Sequence, residues 1–442
     1  MKNFLKSFVV FLFFPPLQLH AQDTLTVEQA VAAALKNNYD ILLLKNDSAV
    51  YALNNNYAYA SFLPRINATT GLLFNNNSLN QKLADGTQRK RSGLRSDNIA
   101  AAINLNWVIF DGFKLFATKQ RLAELVRLGE MNIKQQIVTT VSDIIKTYYN
   151  IVRRKQQLKA IEEQMKLNRE RVTLAEKKLS VGLGAKPDLL QAKLDLNAQK
   201  AARLAELTLQ EQLKEQLNRL VSFKQGTSYD VTDSIPIDKN IIITDVLNKA
   251  EKFNPSILIA QQNINIAKIS LKEKKADLFP TVSFNSAYNF NRTANAAVVN
   301  NFTPLFNRNS GYNYGVGVNI PIFNGFNVRR QIKEAKLNID HQQIMFDFKK
   351  FQTEIAVSSA FKDYLLQQKI LELEEENILL AKENVFISGE RLRLGITTSL
   401  ELRETQKSLE DAYNRLIAAR YNTKLAETEL KRLQGTIVGD AK

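Results

Sequence analysis

The sequence predicts an α+β fold that is mostly α-helical and is built from two tandem copies of one unit. Three observations predict it: a very long heptad-patterned segment, the return of that segment later in the chain, and two pairs of stretches in which apolar and polar residues alternate. The first indicates a coiled-coil helix, the second an internal duplication, and the third β-strands.

The long segment covers residues 113–181 and contains no proline. Apolar side chains occupy every seventh position along it: Ile137, Ile144, Ile151, Leu158, Met165, Val172 and Leu179. This spacing is typical of packed, supercoiled helices. At about 1.5 Å per residue we expect a helix of roughly 100 Å, several times the ordinary length.

The long segment returns at residues 326–394, shifted by 213 positions. Its apolar seam is then Val357, Tyr364, Leu371, Ile378, Val385 and Leu392. The flanking motif IFDGF at 109–113 returns as IFNGF at 322–326, whereas Pro64 and Pro280 lie 216 positions apart. The copies therefore differ by three residues within 64–110, where we expect a variable loop.

The elements follow in the same order in both copies. In the first repeat, 22–222, we predict a helix over 25–62, a strand pair over 64–110, a long helix over 113–181 and a return helix over 187–221. In the second repeat, 241–435, the corresponding ranges are 246–278, 280–323, 326–394 and 399–433. A polar linker, 223–240, joins the repeats, and a tail, 436–442, follows. Thr26 caps the first helix, and Pro64 stops it.

Residues 1–21 have the features of a secretory signal peptide. Lys2 and Lys6 precede an apolar run at 8–14, and Leu19-His20-Ala21 forms a cleavage site before Gln22. The alternative is a membrane anchor, but the run is far shorter than the ~20 residues that a spanning helix needs. We therefore expect an exported protein that begins near Gln22.

The charge pattern does not indicate nucleic acid as a partner. The net charge is +16, but Lys and Arg are interleaved with Glu and Gln along the predicted helices, which is typical of solvated helical faces. One basic cluster, Arg89, Lys90, Arg91 and Arg95, falls in the loop that we predict over residues 75–98.

The composition argues against an enzyme. There is no cysteine, and His20 and His341 are the only histidines. The lack of cysteine excludes disulfides and thiolate metal sites, and two histidines leave almost nothing for histidine-based acid/base chemistry. No glycine-rich phosphate loop is present. We expect no catalytic activity, no cofactor and no metal.

The alternating stretches predict two strand pairs with one apolar and one uncharged polar face. Such a sheet could be half of a soluble sandwich. We favour membrane strands, because each stretch has the ten or so residues that a tilted strand needs to cross a bilayer. Trp107, Tyr312 and Tyr314 lie near the predicted strand ends, as in an aromatic girdle.

Four strands are too few to close into a barrel. Open sheet edges in lipid leave backbone groups unpaired, and spanning barrels start at eight strands. We therefore expect the chain to oligomerise. Two copies would supply eight strands and three would supply twelve, and the sequence pattern does not decide between them.

The mature sequence resembles the TolC-type family of outer-membrane efflux and export channels. The resemblance is carried by the LTVEQA motif at 25–30, the strand beginnings at Pro64 and Pro280, the two FDGF-like motifs and the two helix tips. The tips are the most specific part, with VGL at 181–183 followed by DLLQA at 188–192, and LG at 394–395 followed by LEL at 400–402.

The resemblance implies a homotrimer with a twelve-stranded barrel in the outer membrane and a helical tunnel across the periplasm. It implies a passive conduit without a cofactor, whose energy comes from an inner-membrane pump joined through a periplasmic adaptor. The adaptor is expected to dock at the tips, at Val181, Gly182, Leu183, Leu394, Gly395 and Ile396.

The resemblance also implies a narrow, acidic periplasmic entrance. Glu401, Glu404 and Asp188 are its candidate residues, and rings of carboxylates would favour cations. Each has an alternative. Thr398 and Glu401 have the spacing of a capping box, Glu404 could be a solvated surface residue, and Asp188 suits the first turn of a helix. An Arg that helps to latch the closed state in better-known members is replaced here by Thr397, which puts that latch in doubt.

The predicted function is the outer-membrane channel of a tripartite efflux pump or a type I secretion system. The alternative is a periplasmic coiled-coil structural or adaptor protein, which would explain the long helices but not the four strands. Outer-membrane lipid, the adaptor, the pump and further copies of the chain are the expected partners.

Overall fold

The computed structural model describes residues 24–227, 229–297 and 302–437. The predicted signal peptide with His20 lies outside the described residues, as does the end of the predicted tail.

The secondary structure follows the predicted duplicated order and confirms a mostly helical α+β fold. The first copy contains β1 (Thr24–Leu25), α1 (Val27–Asn37), α2 (Tyr39–Asn56), a 3-10 turn (Ala58–Phe62), β2 (Arg65–Lys82), β3 (Gln88–Phe110), α3 (Lys114–Ser180) and α4 (Lys186–Val221). The second contains β4 (Asp230–Val231), α5 (Ile243–Phe253), α6 (Pro255–Ala276), β5 (Thr281–Asn295), β6 (Phe306–Asn319), α7 (Asn327–Arg393) and α8 (Ser399–Gln434).

Contacts within the chain define two compact units, each built from both copies. The first unit comprises the chain up to Ile41, Ile137–Ala250 and everything from Ile355 onward. The second comprises Leu42–Gln136 and Glu251–Glu354, and it contains the strands β2, β3, β5 and β6.

The apolar seam of the second long helix forms the core of the first unit. All six predicted seam residues of α7, from Val357 to Leu392, are buried. In α3 the seam residues Ile144 and Ile151 are fully buried and pack with Val141 and Tyr148. Met165 is buried as well, whereas Ile137, Leu158, Val172 and Leu179 are half-buried. The heptad pattern therefore predicted the buried face of α7 in full and that of α3 in part.

The polar linker is part of this core. Its residues Asp230 and Val231 pair in parallel with Thr24 and Leu25 of β1. The hydroxyl of Tyr148 in α3 donates to the Leu25 carbonyl at 2.8 Å. A buried tyrosine of α7, Tyr364, likewise donates to a linker carbonyl, that of Asp238, at 2.6 Å.

The predicted helices over 25–62 and 246–278 are each interrupted, which corrects the sequence prediction. Asn38 and Asn254 adopt extended backbone conformations at the two breaks. The buried Asn38 side chain accepts from the Ile41 amide at 3.1 Å and donates to the Leu220 carbonyl at 2.8 Å. Asparagine competes with the helix through such side-chain bonds, and Pro255 reinforces the second break.

Four strands form one antiparallel sheet in the order β2-β3-β5-β6. The loop predicted over 75–98 is wrong, because β2 continues to Lys82 and β3 begins at Gln88, which leaves only a short turn. The added strand residues within 75–98 are mostly polar on both faces, so the alternation of apolar and polar residues that identifies a strand is missing there. Cross-strand backbone pairing extends the hairpin regardless.

None of the described helices combines the length and the apolar character that crossing a bilayer requires.

Candidate functional site

The two helix tips have the same backbone geometry. At the first, Gly182 has φ +75°, and the amide of Leu183 donates to the carbonyl of Lys178 at 2.8 Å. At the second, Gly395 has φ +73°, and the amide of Ile396 donates to the Arg391 carbonyl at 2.9 Å. Both are Schellman endings, in which a left-handed glycine lets the last carbonyls of the helix find donors.

The predicted adaptor-docking residues surround these endings. Val181, Leu183, Leu394 and Ile396 are all exposed, although they are large apolar side chains. Their backbone is held by the helix endings, so their side chains project from a fixed turn. Apolar side chains exposed at a fixed place are typical of interaction sites.

The structure changes the interpretation of Glu401. Thr398 caps α8, because its hydroxyl accepts from the Glu401 amide at 3.3 Å. The Glu401 carboxylate does not return to the cap. It accepts from Arg391 Nη1 at 2.7 Å and from the Thr397 hydroxyl. The negative charge of Glu401 is therefore offset by a neighbouring cation within the same tip.

Glu404 and Asp188 differ from Glu401 in this respect. Both side chains are exposed, and neither makes a hydrogen bond or ion pair with any residue that the structure describes. On α8, Leu402 and Gln406 are buried, so Glu404 lies on the opposite face of the helix. Among the described residues, Glu404 and Asp188 are thus carboxylates near the tips that have no ion-pair partner.

Above the tips lies an ionic network that the sequence did not reveal. The guanidinium of Arg171 in α3 is only 8% exposed and contacts Asp195 of α4, while it also donates to Gln406 Oε1 of α8 at 3.0 Å. Arg403 of α8 lies 3.2 Å from the same Asp195. One carboxylate therefore connects α3, α4 and α8. No pattern in the sequence indicates this network, since the partners are far apart along the chain.

A cleft of about 690 Å³ opens beside this network, between α3, α7 and α8. Its lining combines apolar side chains with a basic set from α3. The apolar members include Leu174, Val385, Phe386 and Leu402, and the basic members from α3 are Lys166, Arg169, Arg171 and Lys177. Lys382 and Arg393 of α7 add two more cations, and Glu170 and Glu390 are the acidic members.

A second ionic cluster fixes the linker to α3. Lys155 Nζ lies 2.6 Å from Asp230 and 2.7 Å from Asp233, and Lys159 Nζ also lies 2.7 Å from Asp233. Hydrogen bonds from Lys155 and then Lys159 lower the pKa of Asp233 to about 2.

The sheet of the second unit has one apolar and one polar face, as its register shows. The apolar face carries Ile66, Leu72 and Phe74 of β2, Ile99, Ile103, Leu105 and Trp107 of β3, Phe284, Tyr288 and Phe290 of β5, and Tyr312, Tyr314, Val316 and Val318 of β6. The polar face carries mainly Asn, Thr, Ser, Ala and Gly, and Asn106 Nδ2 donates there to Asn285 Oδ1 at 2.5 Å.

The predicted girdle residues lie on the apolar face at different heights. Trp107 lies three residues before the end of β3, and its indole N–H donates to the Phe62 carbonyl at 2.8 Å. Tyr312 and Tyr314 stack on one another. They lie in the middle of β6, which begins at Phe306, so the prediction that they lie near a strand end is wrong. Residues 306–311 are mostly polar, so the alternating pattern did not reveal the start of the strand, which is formed by pairing with β5.

Among the described residues, no group of three or more His, Cys, Asp or Glu side chains has an arrangement that could hold a metal ion. His341, the one histidine among them, is an exposed residue of α7.

Comparisons with known proteins agree with this architecture. The family model described as outer membrane efflux protein matches residues 30–223 and 246–436, one stretch in each half of the chain. Outer membrane efflux protein BepC of Brucella suis is 23% identical over 348 residues, 76% of this chain and 72% of its own length. Outer membrane protein TolC of Escherichia coli is 21% identical over 360 residues, 79% of this chain and 72% of its own length.

Solved structures share the fold. The outer-membrane channel OprN aligns with a TM-score of 0.75 at 16% identity, covering 93% of this chain and 90% of its own. The CmeC outer membrane channel of Campylobacter jejuni aligns with a TM-score of 0.73 at 17% identity, covering 93% of this chain and 85% of its own.

Proposed function

The chain belongs to the outer membrane efflux protein family, and from this membership we propose that three copies assemble into one passive conduit. Family membership makes the protein an outer-membrane channel component of an efflux pump, and it decides against a periplasmic coiled-coil structural protein. The trimer, the closed barrel and the tunnel are our proposal for how this chain builds the channel.

The observation that carries the proposal is a sheet with two open edges and one apolar face. Among the strands that the structure describes, β2 and β6 each pair on one side only. An apolar face suits lipid, but unpaired backbone groups do not, so each edge must pair with another chain. Twelve strands from three copies would leave a wet lumen lined by the Asn-rich face.

The experiment exploits the absence of cysteine from the sequence. One cysteine in β2 and one in β6 are introduced into the same chain, at alternate positions in a series of double variants, and the purified protein is oxidised. We expect β2–β6 disulfides between chains, with crosslinked species that end at three copies. A water-soluble monomer without such crosslinks would overturn the proposal.

For the periplasmic entrance, we propose that Glu404 supplies the main ring of charge, with Asp188 beside it and Glu401 partly neutralised by Arg391. The support is the difference in pairing between the two glutamates. Three Glu404 carboxylates around a narrow opening would attract cations and be blocked by divalent ones.

For assembly with the pump, we propose that the exposed apolar tips and the cleft above them receive a periplasmic adaptor. The cleft joins apolar lining to a basic rim, which suits a helix with an apolar stripe flanked by acidic residues. We further propose that the precursor is cleaved after Ala21, and the mass of the purified protein would test this directly.

A further inference from the structure

We propose that Arg292 and Arg308, on the apolar face of the sheet, form a binding site for the phosphate groups of anionic glycolipids in the outer leaflet. The inference rests on the proposed function in one respect, that this face of the sheet meets lipid. It assigns a role to two basic residues that neither the conduit nor the entrance uses.

The two arginines are direct neighbours across adjacent strands. The register pairs Arg292 of β5 with Arg308 of β6, and it pairs Arg292 with Ile99 of β3 on the other side. Both side chains therefore lie on the apolar face. Paired side chains have Cβ atoms about 5 Å apart, so two like charges repel one another unless an anion lies between them.

Each guanidinium is held by an aromatic ring. The guanidinium carbon of Arg292 lies 5.6 Å from the centre of the Phe306 ring, and that of Arg308 lies 5.2 Å from the centre of the Phe290 ring. A guanidinium that stacks on a ring keeps its N–H edges available for hydrogen bonds. The two rings thus hold both guanidinium groups in place and leave the N–H donors of these groups available.

The surroundings supply little negative charge. Neither arginine side chain makes a hydrogen bond or an ion pair with any described residue. The nearest acid on the same face by register is Asp97, which pairs with Phe74 and Ala294 and is diagonal to Arg292. Arg95 follows further along the same face of β3, paired with Asn76. The region therefore has a net positive charge.

The position of the two arginines along their strands indicates that the ligand is a lipid headgroup. On β3 the apolar face runs from Trp107 to Ile99, nine residues, which is the length that a tilted strand needs to cross the hydrocarbon core. Arg292 is paired with Ile99, at the end of this span farthest from the helices. Phosphates of an outer-leaflet glycolipid would lie at this level, and paired guanidinium forks match their geometry.

The test uses the purified mature oligomer in mixed micelles and compares bis-phosphorylated lipid A with the same lipid after chemical dephosphorylation. We expect the wild type to bind the phosphorylated lipid about tenfold more tightly, since two charge-assisted Arg–phosphate contacts distinguish the probes. Arg292→Gln/Arg308→Gln should lose this preference, and Arg292→Lys/Arg308→Lys should keep only part of it. Arg65→Gln, an arginine on the polar face at the other end of β2, should bind like the wild type.

Equal binding of the two lipids by the wild type would overturn the proposal, as would a full preference in the double Gln variant. Inorganic phosphate at millimolar concentration is the third probe, and its displacing lipid A would reassign the pair as a site for free anions. Channel conductance of the same wild-type preparation separates the two proposals. A conducting trimer without phosphate preference refutes only the lipid site, whereas a preparation that forms no channel refutes the proposed function.

Discussion

The guanidinium of Arg391 lies 2.7 Å from the carboxylate of Glu401, so an ion pair joins the last turn of α7 to the first turn of α8. The two side chains are each nearly half exposed, at 46% and 42%. An exposed pair of this kind contributes little to stability, but it halves the number of free carboxylates at the second tip.

Removing the Arg391 guanidinium should therefore leave the Glu401 carboxylate without its paired cation. In Arg391→Gln we expect divalent cations to block the channel at concentrations lower by up to about fivefold, the factor that corresponds to an exposed ion pair. The measurement is the half-blocking concentration in planar bilayers. Arg393→Gln is the matched control, because Arg393 pairs with Glu390 in the same turn and leaves Glu401 untouched. An equal shift in both variants would contradict the interpretation.

Glu404→Ala should have the opposite effect and a larger one than Glu401→Gln. Glu404 has no cation paired with it among the described residues, so its removal takes a full charge from the proposed ring. We expect higher single-channel conductance and weaker divalent block, both measured on reconstituted protein. Unchanged conductance and block in Glu404→Ala would remove this residue from the entrance.

The sequence predicted the elements that depend on periodicity. The heptad seam identified the buried face of α7 and the buried or half-buried face of α3, and Gly182 and Gly395 correctly marked the ends of these helices. The alternating stretches located the apolar face of the sheet.

What the sequence did not predict depends on contacts between distant residues. The strand extensions up to Lys82 and from Gln88 lack an apolar face, and backbone pairing alone maintains them. The break at Asn38 resembles an ordinary polar position of a helix, whereas Pro255 does mark the break at Asn254 in the sequence. The pairing of Glu401 with Arg391, and of Arg292 with Arg308, requires a tip geometry and a strand register that no pattern in the sequence specifies.

Asp195→Asn should destabilise the helices above the tips. The substitution leaves the buried Arg171 guanidinium without its carboxylate, and losing a charged hydrogen bond of this kind costs about 2–3 kcal/mol. Thermal unfolding followed by circular dichroism would measure the loss. Asp188→Asn, on the same helix but exposed, should unfold like the wild type. If the double variant Arg171→Met/Asp195→Leu is no more stable than Asp195→Asn, the loss of stability does not come from the unpaired charge of the buried Arg171 guanidinium.

The linker should loosen in acid because of Asp233. Its pKa is lowered from 3.8 to about 2 in the folded protein, so the folded state favours the charged form. The stabilising effect is thus complete above pH 3.8 and is lost as the pH falls from 3.8 towards 2. The melting temperatures of the wild type and Asp233→Asn should therefore converge over that window. Asp340→Asn, an exposed acid of α7, serves as control, and a difference that persists at pH 2 would contradict the assignment.

The tip glycines should be required for their backbone conformation and not for their small size. A left-handed conformation costs a residue with a side chain roughly 1–2 kcal/mol, so Gly182→Ala and Gly395→Ala should open the tips more often. Hydrogen exchange at the amides of Leu183 and Ile396, which close the two helix endings, should accelerate by about five- to thirtyfold. Gly389→Ala is the matched control within α7, where the added methyl group meets no atom within 4 Å and alanine favours the helix. If exchange at Ile396 is as slow in Gly395→Ala as in Gly389→Ala, the left-handed turn does not hold the second tip together.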